Sequence, residues 1–197
     1  IKKNGQLDIG LIVAEKSIPC AGVFTTNQVV AAPVVQSKKR LTERKMARAI
    51  IVNSGNANAC TGESGVADAH RTAGHVAEHL NCESRDIQVC STGVIGAPLP
   101  MNTLLDGIDK AMDSLDQASF FDFAEAIRTT DTFTKARGAE IIIDGLTYSI
   151  VGASKGAGMI HPNMATMLGF IVTDAPISES DIDALWRRTC QKTFNAI

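Results

Sequence analysis

Short apolar runs and longer stripes with helical spacing alternate along this chain, and that alternation restricts the fold more than any other feature. Apolar residues recur at intervals of three and four in 66–80 and again in 101–115, which predicts two amphipathic helices. Buried strands are predicted at Ala49–Asn53, Ile87–Ser91 and Met167–Thr173. Helices interspersed with strands and hairpins favour a layered α+β fold over a purely parallel doubly wound sheet.

The remaining elements follow from the same patterns. They are strands at Leu7–Ala14, Cys20–Thr25 and Val29–Gln36, helices at Leu41–Arg48, Ala118–Arg128 and from Ser178 to about Lys192, and a hairpin over 139–152 that turns at Asp144-Gly145. Pro33 assigns the strand around it to a sheet edge, because proline cannot donate a ladder hydrogen bond. Ser178 is expected to cap the last helix, with Asp181 three residues on.

Composition excludes several classes of protein. A chain of 197 residues with 45% hydrophobic and 20% charged residues suits one globular domain, 1–197. No apolar run is long enough to cross a membrane. The pI of about 6.1 argues against a nucleic-acid partner. Five cysteines without a CxxC motif or a visible signal peptide predict a reduced, cytoplasmic protein.

Four segments are richer in Gly, Thr and Asn than a packed scaffold requires, and each lies at the end of a predicted strand or helix. They are Asn53–Gly62 (NSGNANACTG), Ser91–Gly96 (STGVIG), Thr129–Thr132 (TTDT) and Lys155–Leu168 (KGAGMIHPNMATML). Any one of them could be an ordinary turn. Four in one chain indicate a binding or catalytic site, since sites are built on loops that a rigid scaffold positions. We expect Asn53, Asn56 and Asn58 to shape their loop rather than to bind substrate.

Three weaker patterns are set aside. Gly152–Gly156 lacks the spacing of a phosphate-binding loop. His75 and His79 stand four residues apart, but no third ligand has matching spacing, so no metal site is predicted. Residues 1–50 carry nine Lys or Arg against three Asp or Glu, mostly in Lys38–Arg48. A solvated helix face is the favoured interpretation of this basic patch, and an anion-binding site is the alternative.

The fourth segment, with its pattern KGxGMxxPxMATML, closely resembles the self-cleavage site of the bifunctional ornithine acetyltransferase/N-acetylglutamate synthase family of arginine biosynthesis. The other three segments resemble further family segments in the same order, and the likeness runs from about Asp8 to Ile197. The resemblance implies cleavage between Ala165 and Thr166. Residues 1–165 then correspond to the first cleaved chain and 166–197 to the start of the second, which makes this sequence a fragment of a longer protein.

The resemblance also implies the roles of individual residues. Thr166 is the nucleophile, and its α-amino group, freed by cleavage, is the base. An α-amino pKa of roughly 7.7–8.0 suits that task. Thr92 and the Gly93 N–H are implied as the oxyanion hole. Lys155 and Thr129 are implied as substrate-binding residues, with Thr130 as a weaker candidate.

The implied enzyme is an acyltransferase that moves an acetyl group from N-acetylornithine to glutamate through acetyl-Thr166. It uses no cofactor, although some family members also accept acetyl-CoA as donor. Its partner is the second cleaved chain, in a heterotetramer of two copies of each chain. The implied fold is a layered αββα-type sandwich like that of the L-aminopeptidase/D-esterase enzymes, similar to N-terminal-nucleophile hydrolases.

Two other functions stay open. A self-cleaving aminopeptidase or amidase would use the same nucleophile with water as acceptor, because fold does not determine function. A non-catalytic anion-binding domain would use the Gly-rich loops and the basic patch, and would never be cut.

Overall fold

Six strands form two three-stranded sheets in the computed structural model, which describes residues 1–2 and 5–196. The strands are β1 (Ile9–Pro19), β2 (Met46–Asn56), β3 (Ile87–Val94), β4 (Lys135–Ile143), β5 (Leu146–Lys155) and β6 (Leu168–Thr173). The first sheet has the order β1-β2-β3, in which β1 is antiparallel and β3 parallel to β2. The second sheet, β4-β5-β6, is antiparallel throughout. The predicted mixed α+β class is confirmed.

Five α-helices accompany the strands in the described part of the chain. They are α1 (Ala32–Glu43), α2 (Gly62–Leu80), α3 (Met101–Asp113), α4 (Phe120–Ile127) and α5 (Glu179–Lys192). Helix α2 forms the crossover between β2 and β3, as two parallel strands require. Among these residues there is no helix whose length and apolar character would suit a membrane crossing.

Strand β2 is buried on both faces because its two sets of alternating side chains enter different cores. Ala49 and Ile51 pack with residues of α2 and α3. Val52 points the opposite way, into a cluster with Phe123 of α4 and with side chains of β5 and β6. The first sheet therefore lies between a helical layer on one side and α4 with the second sheet on the other.

The end of the chain covers part of the second sheet's outer face. Phe170 of β6 enters the core shared with the first sheet, so the neighbouring Gly169 faces outward. A Cβ built on Gly169 would lie 3.0 Å from the ring of Phe194, which follows α5. The glycine thus lets an aromatic ring lie directly on the strand.

Most predicted elements are present. The strands at 49–53, 87–91 and 167–173 and the helices at 66–80, 101–115 and 118–128 are confirmed to within a few residues. The hairpin turns where predicted: Asp144 and Gly145 have φ of 51° and 79°, and Ile143 pairs with Leu146. The hydroxyl of Ser178 accepts the Asp181 N–H at 3.2 Å and caps α5 as expected.

Three predictions for the N-terminal region are wrong. Val29–Gln36 is no edge strand, because helix α1 begins at Ala32 and holds Pro33 in its first turn, where no N–H partner is lost. Residues 20–25 are not a strand either. Strand β1 instead runs on to Pro19 through an irregularity between Val13 and Ile18. The helix predicted at 41–48 ends at Glu43, and β2 starts at Met46.

All five cysteines are free thiols. Burial raises the pKa of Cys90 to about 12 and that of Cys20 to about 11. Cys60 alone among them is exposed. Only Cys190 is fully buried as the sequence suggested, while Cys82 and Cys90 are partly buried against the two cores.

Candidate functional site

The first two Gly- and Asn-rich segments lie side by side at one end of the first sheet. Parallel pairing of β2 with β3 sets Ser54 beside Thr92 and Gly55 beside Gly93. Beyond the strands, the Ala57 N–H donates to the Val94 carbonyl at 2.8 Å, and the Gly96 N–H donates to the Ala59 carbonyl at 2.9 Å. Segments 53–62 and 91–96 therefore form one paired platform.

Three buried asparagines hold this platform, as the sequence predicted. The Asn53 amide donates to the Asn56 carbonyl at 2.8 Å and accepts from the Ser91 hydroxyl at 2.6 Å. The Asn56 side chain accepts the Asn58 N–H at 2.8 Å. The Asn58 amide donates to the Gly65 carbonyl at 2.8 Å and accepts from the Thr61 hydroxyl. Their polar groups are occupied by the loop itself.

Gly93 is needed where it stands because two backbones meet there. Its φ is +133°, and a Cβ at this position would lie 2.3 Å from the carbonyl carbon of Gly55. The neighbouring Thr92 is only 6% exposed. Across residues 1–2 and 5–196 its hydroxyl forms no hydrogen bond, so it stays available to a ligand.

Asp131 joins the third and fourth segments. Its side chain is 1% exposed and accepts the Gly156 N–H at 2.8 Å. It also accepts from the Lys135 ammonium, which in turn donates to the Gly156 carbonyl at 2.9 Å. Burial alone would raise the pKa of Asp131, but the hydrogen bonds from Lys135 and Gly156 outweigh it and lower that pKa below its usual value.

Lys155 reaches from the end of β5 toward the residues just before β6. It is 7% exposed, and its ammonium lies 3.5 Å from the carbonyl oxygen of Thr166. Burial lowers the pKa of Lys155, and the nearby carboxylate of Asp131 partly opposes that shift. The arrangement places a shielded positive charge beside Thr166.

The loop that contains the Ala165–Thr166 bond has an unusual backbone. Asn163, Met164 and Thr166 have φ of 63°, 59° and 53°. Positive φ is rare outside glycine and is a clear outlier for a β-branched residue such as Thr166. Ala165 and His161 bridge the loop with two backbone hydrogen bonds of 3.3 Å, one of which runs from the His161 N–H to the Ala165 carbonyl.

The structure brings some predicted site residues together and leaves others apart. Lys155, Ala165 and Thr166 share one region, and the Thr129 N–H approaches Asp131 at 3.5 Å. Thr130 is exposed. Thr92 and Gly93 belong to the platform, and within the described part of the chain no hydrogen bond links them to the 155–168 segment.

Helix α4 connects the two regions indirectly. The Ser54 hydroxyl of the platform donates to the Ala126 carbonyl near the end of α4, only three residues before Thr129.

The sequence did not lead us to predict that Asp131 and Lys135 form an ion pair at this site. One signal was present: Asp131 is the only acidic residue in the four segments. Its partner Gly156 lies 25 residues further along the chain, so no local pattern could reveal the contact.

Half of the basic patch is engaged within the protein. Arg40 is 9% exposed and donates to the Ile87 carbonyl. Arg44 pairs with Asp86 at 2.9 Å, and Lys39 with Glu43 at 3.9 Å. These internal contacts of three of the six basic side chains favour the interpretation as a structural and solvated helix face over an anion-binding site.

Comparison with curated proteins gives long matches at high identity. The arginine biosynthesis bifunctional protein ArgJ of Caldanaerobacter subterraneus subsp. tengcongensis is 48% identical over 195 residues, covering 99% of this chain and 48% of that protein. ArgJ of Geobacter sulfurreducens is 48% identical over 197 residues, covering 100% of this chain and 50% of that protein. The chain spans about half the length of the curated relatives it matches.

Two crystal structures share the fold. ArgJ of Bacillus halodurans superposes with a TM-score of 0.74 at 38% identity, covering 84% of this chain and 85% of that chain. Ornithine acetyltransferase of Mycobacterium tuberculosis, crystallised with ornithine, superposes with a TM-score of 0.66 at 35% identity, covering 85% of this chain and 87% of that chain.

The family model of the ArgJ family matches residues 1–197, so the paired platform, the buried Asp131 and the strained loop before β6 all lie inside the match. Together with the identity to curated relatives and the likeness to solved structures, this shows that the chain belongs to the ArgJ family.

Proposed function

We propose that this chain is part of an acetyltransferase of arginine biosynthesis that cuts itself between Ala165 and Thr166 and then uses Thr166 as its nucleophile. The observation that carries the proposal is the conformation of the loop: Thr166 has a φ of 53° while its carbonyl lies 3.5 Å from the buried ammonium of Lys155. Backbone strain of this kind costs about 1–3 kcal/mol per residue and collects at functional sites.

Cleavage would begin with attack by the Thr166 hydroxyl on the Ala165 carbonyl carbon. The carbonyl oxygen becomes an oxyanion, and the N–H of His161, which already donates to it at 3.3 Å, would stabilise the new charge. The C–N bond then breaks, the amine takes the proton, and an ester joins Ala165 to the Thr166 oxygen. Water hydrolyses the ester and leaves a free Ala165 carboxylate and a free Thr166 α-amine.

Acetyl transfer would follow on the same hydroxyl. The Thr166 α-amine removes the hydroxyl proton as the oxygen attacks the acetyl carbonyl of N-acetylornithine. Ornithine leaves with that proton, and glutamate then takes the acetyl group from Thr166. We assign the oxyanion of this step to Thr92 and the Gly93 N–H; the unbonded Thr92 hydroxyl supports this assignment.

Lys155 would bind the α-carboxylate of the amino-acid substrates, with Thr129 beside it and Thr130 at the rim. Burial strengthens an ion pair because little water screens it. Asp131 holds both Gly156 and Lys135, so it positions the loop that carries Lys155.

The proposed partners are N-acetylornithine, glutamate, the second cleaved chain in a heterotetramer, and acetyl-CoA as an additional donor. The chemistry relies on Thr166 and its own amine, without a cofactor. We place the enzyme in the cytoplasm, and we place the fold with the αββα sandwiches of the L-aminopeptidase/D-esterase type. The helical layer, the two sheets and the Phe194 contact on the outer face support that placement.

The lengths of relatives support a division of the chain. The match to the Bacillus halodurans structure covers nearly equal shares of both chains, so that crystallised chain is about as long as this one. Curated relatives of the family are about twice as long.

The deciding experiment is the intact mass of the full-length protein beside its Thr166→Ala variant. We expect two chains for the wild type, the second starting at Thr166, and one uncut chain for the variant. Thr147→Ala, at an exposed position on β5, is the matched control and should be cut normally. A wild type that stays whole after folding would refute the proposal.

Glutamate distinguishes the transferase from an amidase with the same nucleophile. Turnover of N-acetylornithine by the cut enzyme should rise with added glutamate and yield N-acetylglutamate. Release of free acetate at a rate that glutamate does not change would favour the amidase.

A further inference from the structure

Two histidines of α2 and one aspartate of α3 converge at the surface of the helical layer. The Nε2 atoms of His75 and His79 lie 2.5 Å and 2.8 Å from the same oxygen, Oδ1 of Asp109. The three potential ligand atoms lie within 4.8 Å of one another. The third group that the sequence did not reveal is therefore supplied by the neighbouring helix, 30 residues beyond His79.

The donor set matches what a transition-metal ion prefers. Histidines at i and i+4 project from one face of a helix, and imidazole nitrogen with carboxylate oxygen is a common ligand set for Zn²⁺. The side chains are 24%, 36% and 47% exposed for His75, His79 and Asp109, which leaves an open path for an ion.

We propose that His75, His79 and Asp109 form a binding site for one divalent d-block cation, of which Zn²⁺ is the best fit, and that the ion bridges α2 and α3. The imidazoles would bind through Nε2 with the ring proton on Nδ1, and water would complete the tetrahedron.

A small movement accommodates the ion. Ligand atoms around tetrahedral zinc lie about 3.3 Å apart, since each bond is roughly 2.0–2.1 Å. The Asp109 oxygen must therefore move away from the His75 and His79 nitrogens by roughly 0.8 Å and 0.5 Å, which an exposed side chain allows.

The site lies apart from the proposed catalytic residues. Helices α2 and α3 cover the face of the first sheet opposite the one that shares a core with β5 and β6. The inference therefore does not rest on the proposed function. Its expected effect is on stability, because an ion that binds only the folded state raises the melting temperature.

The test is zinc titration of the chelator-treated full-length protein, followed by calorimetry and thermal melting. We expect saturable binding of one Zn²⁺ by this site at micromolar concentration and a higher Tm that EDTA reverses. His75→Ala and His79→Ala should weaken this binding by about 100-fold or more, which exceeds the effect of losing an outer-shell partner. Asp109→Asn should weaken it by about tenfold or more. His70→Ala on α2 and Asp106→Asn on α3 are matched controls that should bind normally.

Co²⁺ provides a second readout. It should give the visible bands of a tetrahedral site without the thiolate charge-transfer band that a cysteine such as the exposed Cys60 would add. A thiolate band, or unchanged Zn²⁺ affinity in His75→Ala and His79→Ala, would overturn the proposal. So would a loss of Tm in these variants that is the same with and without zinc, because a purely hydrogen-bonded cluster would behave that way.

Discussion

The platform of 53–62 with 91–96 and the loop of 156–167 are both rich in small and polar residues, yet they are built in opposite ways. In the platform, each Asn side chain is buried and bonded. Its positive φ angles fall on four glycines, Gly55, Gly62, Gly93 and Gly96, and on two other residues, Asn58 and Cys60. In the loop, positive φ falls on one glycine, Gly156, and on three other residues, Asn163, Met164 and Thr166, and a single backbone bridge closes the turn.

This difference indicates that the two regions have different tasks. A platform whose asparagine side chains are hydrogen-bonded and whose left-handed turns fall mostly on glycine keeps one geometry, which the proposed oxyanion hole requires. A loop that stores strain next to a peptide bond favours breaking that bond. Four experiments on three sites test whether the platform and the loop differ in this way, and those with the greatest predicted loss of stability come first. Stability is measured in the Thr166→Ala background, in which the proposed self-cleavage cannot occur.

Gly93→Ala should have the largest effect, because the platform has no room for a Cβ. The new methyl group would meet the Gly55 backbone at 2.3 Å, and alanine would have to adopt a φ near 133°. We expect a loss of about 3–4 kcal/mol in the free energy of unfolding, from overpacking and backbone strain together. Urea denaturation measures it.

Gly96→Ala is the matched control for this substitution. Its φ is 83°, but no atom lies within 4 Å of a Cβ built there, so only the strain remains. Gly96→Ala should therefore lower the free energy of unfolding clearly less than Gly93→Ala does. Equal losses would mean that the close approach of β2 and β3 is not what requires Gly93.

Asp131→Asn should follow, with a loss of about 3 kcal/mol. The substitution removes the carboxylate between Lys135 and the Gly156 N–H, and breaking a largely buried ion pair costs roughly 3–5 kcal/mol, reduced here because Lys135 is 31% exposed. Asp183→Asn is the control. It breaks an i,i+4 ion pair with Arg187 that is exposed, so the free energy of unfolding should fall by less than about 1 kcal/mol. Similar losses of unfolding free energy in both variants would show that burial does not strengthen the ion pair of Asp131.

The pH dependence of stability checks the same residue. Because the pKa of Asp131 is lowered in the folded state, its contribution is complete above the unfolded value near 3.8 and disappears as pH falls through the lower folded value. Unfolding free energies measured down through this range should therefore fall less steeply for Asp131→Asn than for its parent. Parallel curves would contradict the lowered pKa.

Met164→Gly should have the smallest effect, and it should be stabilising. Relief of left-handed strain is worth about 1–2 kcal/mol and the entropy of the new glycine costs roughly half of that, so we expect a gain of about 0.5 kcal/mol. Met159→Gly is the control: it lies in the same loop without a positive φ and should destabilise. In the Thr166 protein, Met164→Gly should also slow cleavage. A loss of stability would show that the loop is not strained at this residue.

Patterns with short range were predictable from sequence, and contacts across the fold were not. The helical stripe of 66–80 and the Asp144-Gly145 turn depend on neighbours in the chain and are confirmed. Pro33 misled the prediction, because proline suits both an edge strand and a first helical turn, and packing decided for the helix.

The same distinction between local patterns and contacts across the fold applies to the candidate site. The roles of Thr166, Thr92 and Lys155 came from a family resemblance and remain predictions. The Asp131–Gly156 and His79–Asp109 contacts join residues 25 and 30 positions apart, so they needed the three-dimensional structure. The saturated bonding of Asn53 and Asn58 was expected, since asparagine stabilises turns through its own side chain.

Strands β5 and β6 lie on either side of Ala165–Thr166 and pair from Ile150 with Thr173 to Lys155 with Leu168. A cut at that bond would leave one ladder held by two separate polypeptides. The unfolding of the second sheet would change from a unimolecular to a bimolecular equilibrium, so that its midpoint would depend on protein concentration. Once separated, the two pieces would have to find each other by diffusion. The second sheet would therefore assemble more readily before cleavage than after it.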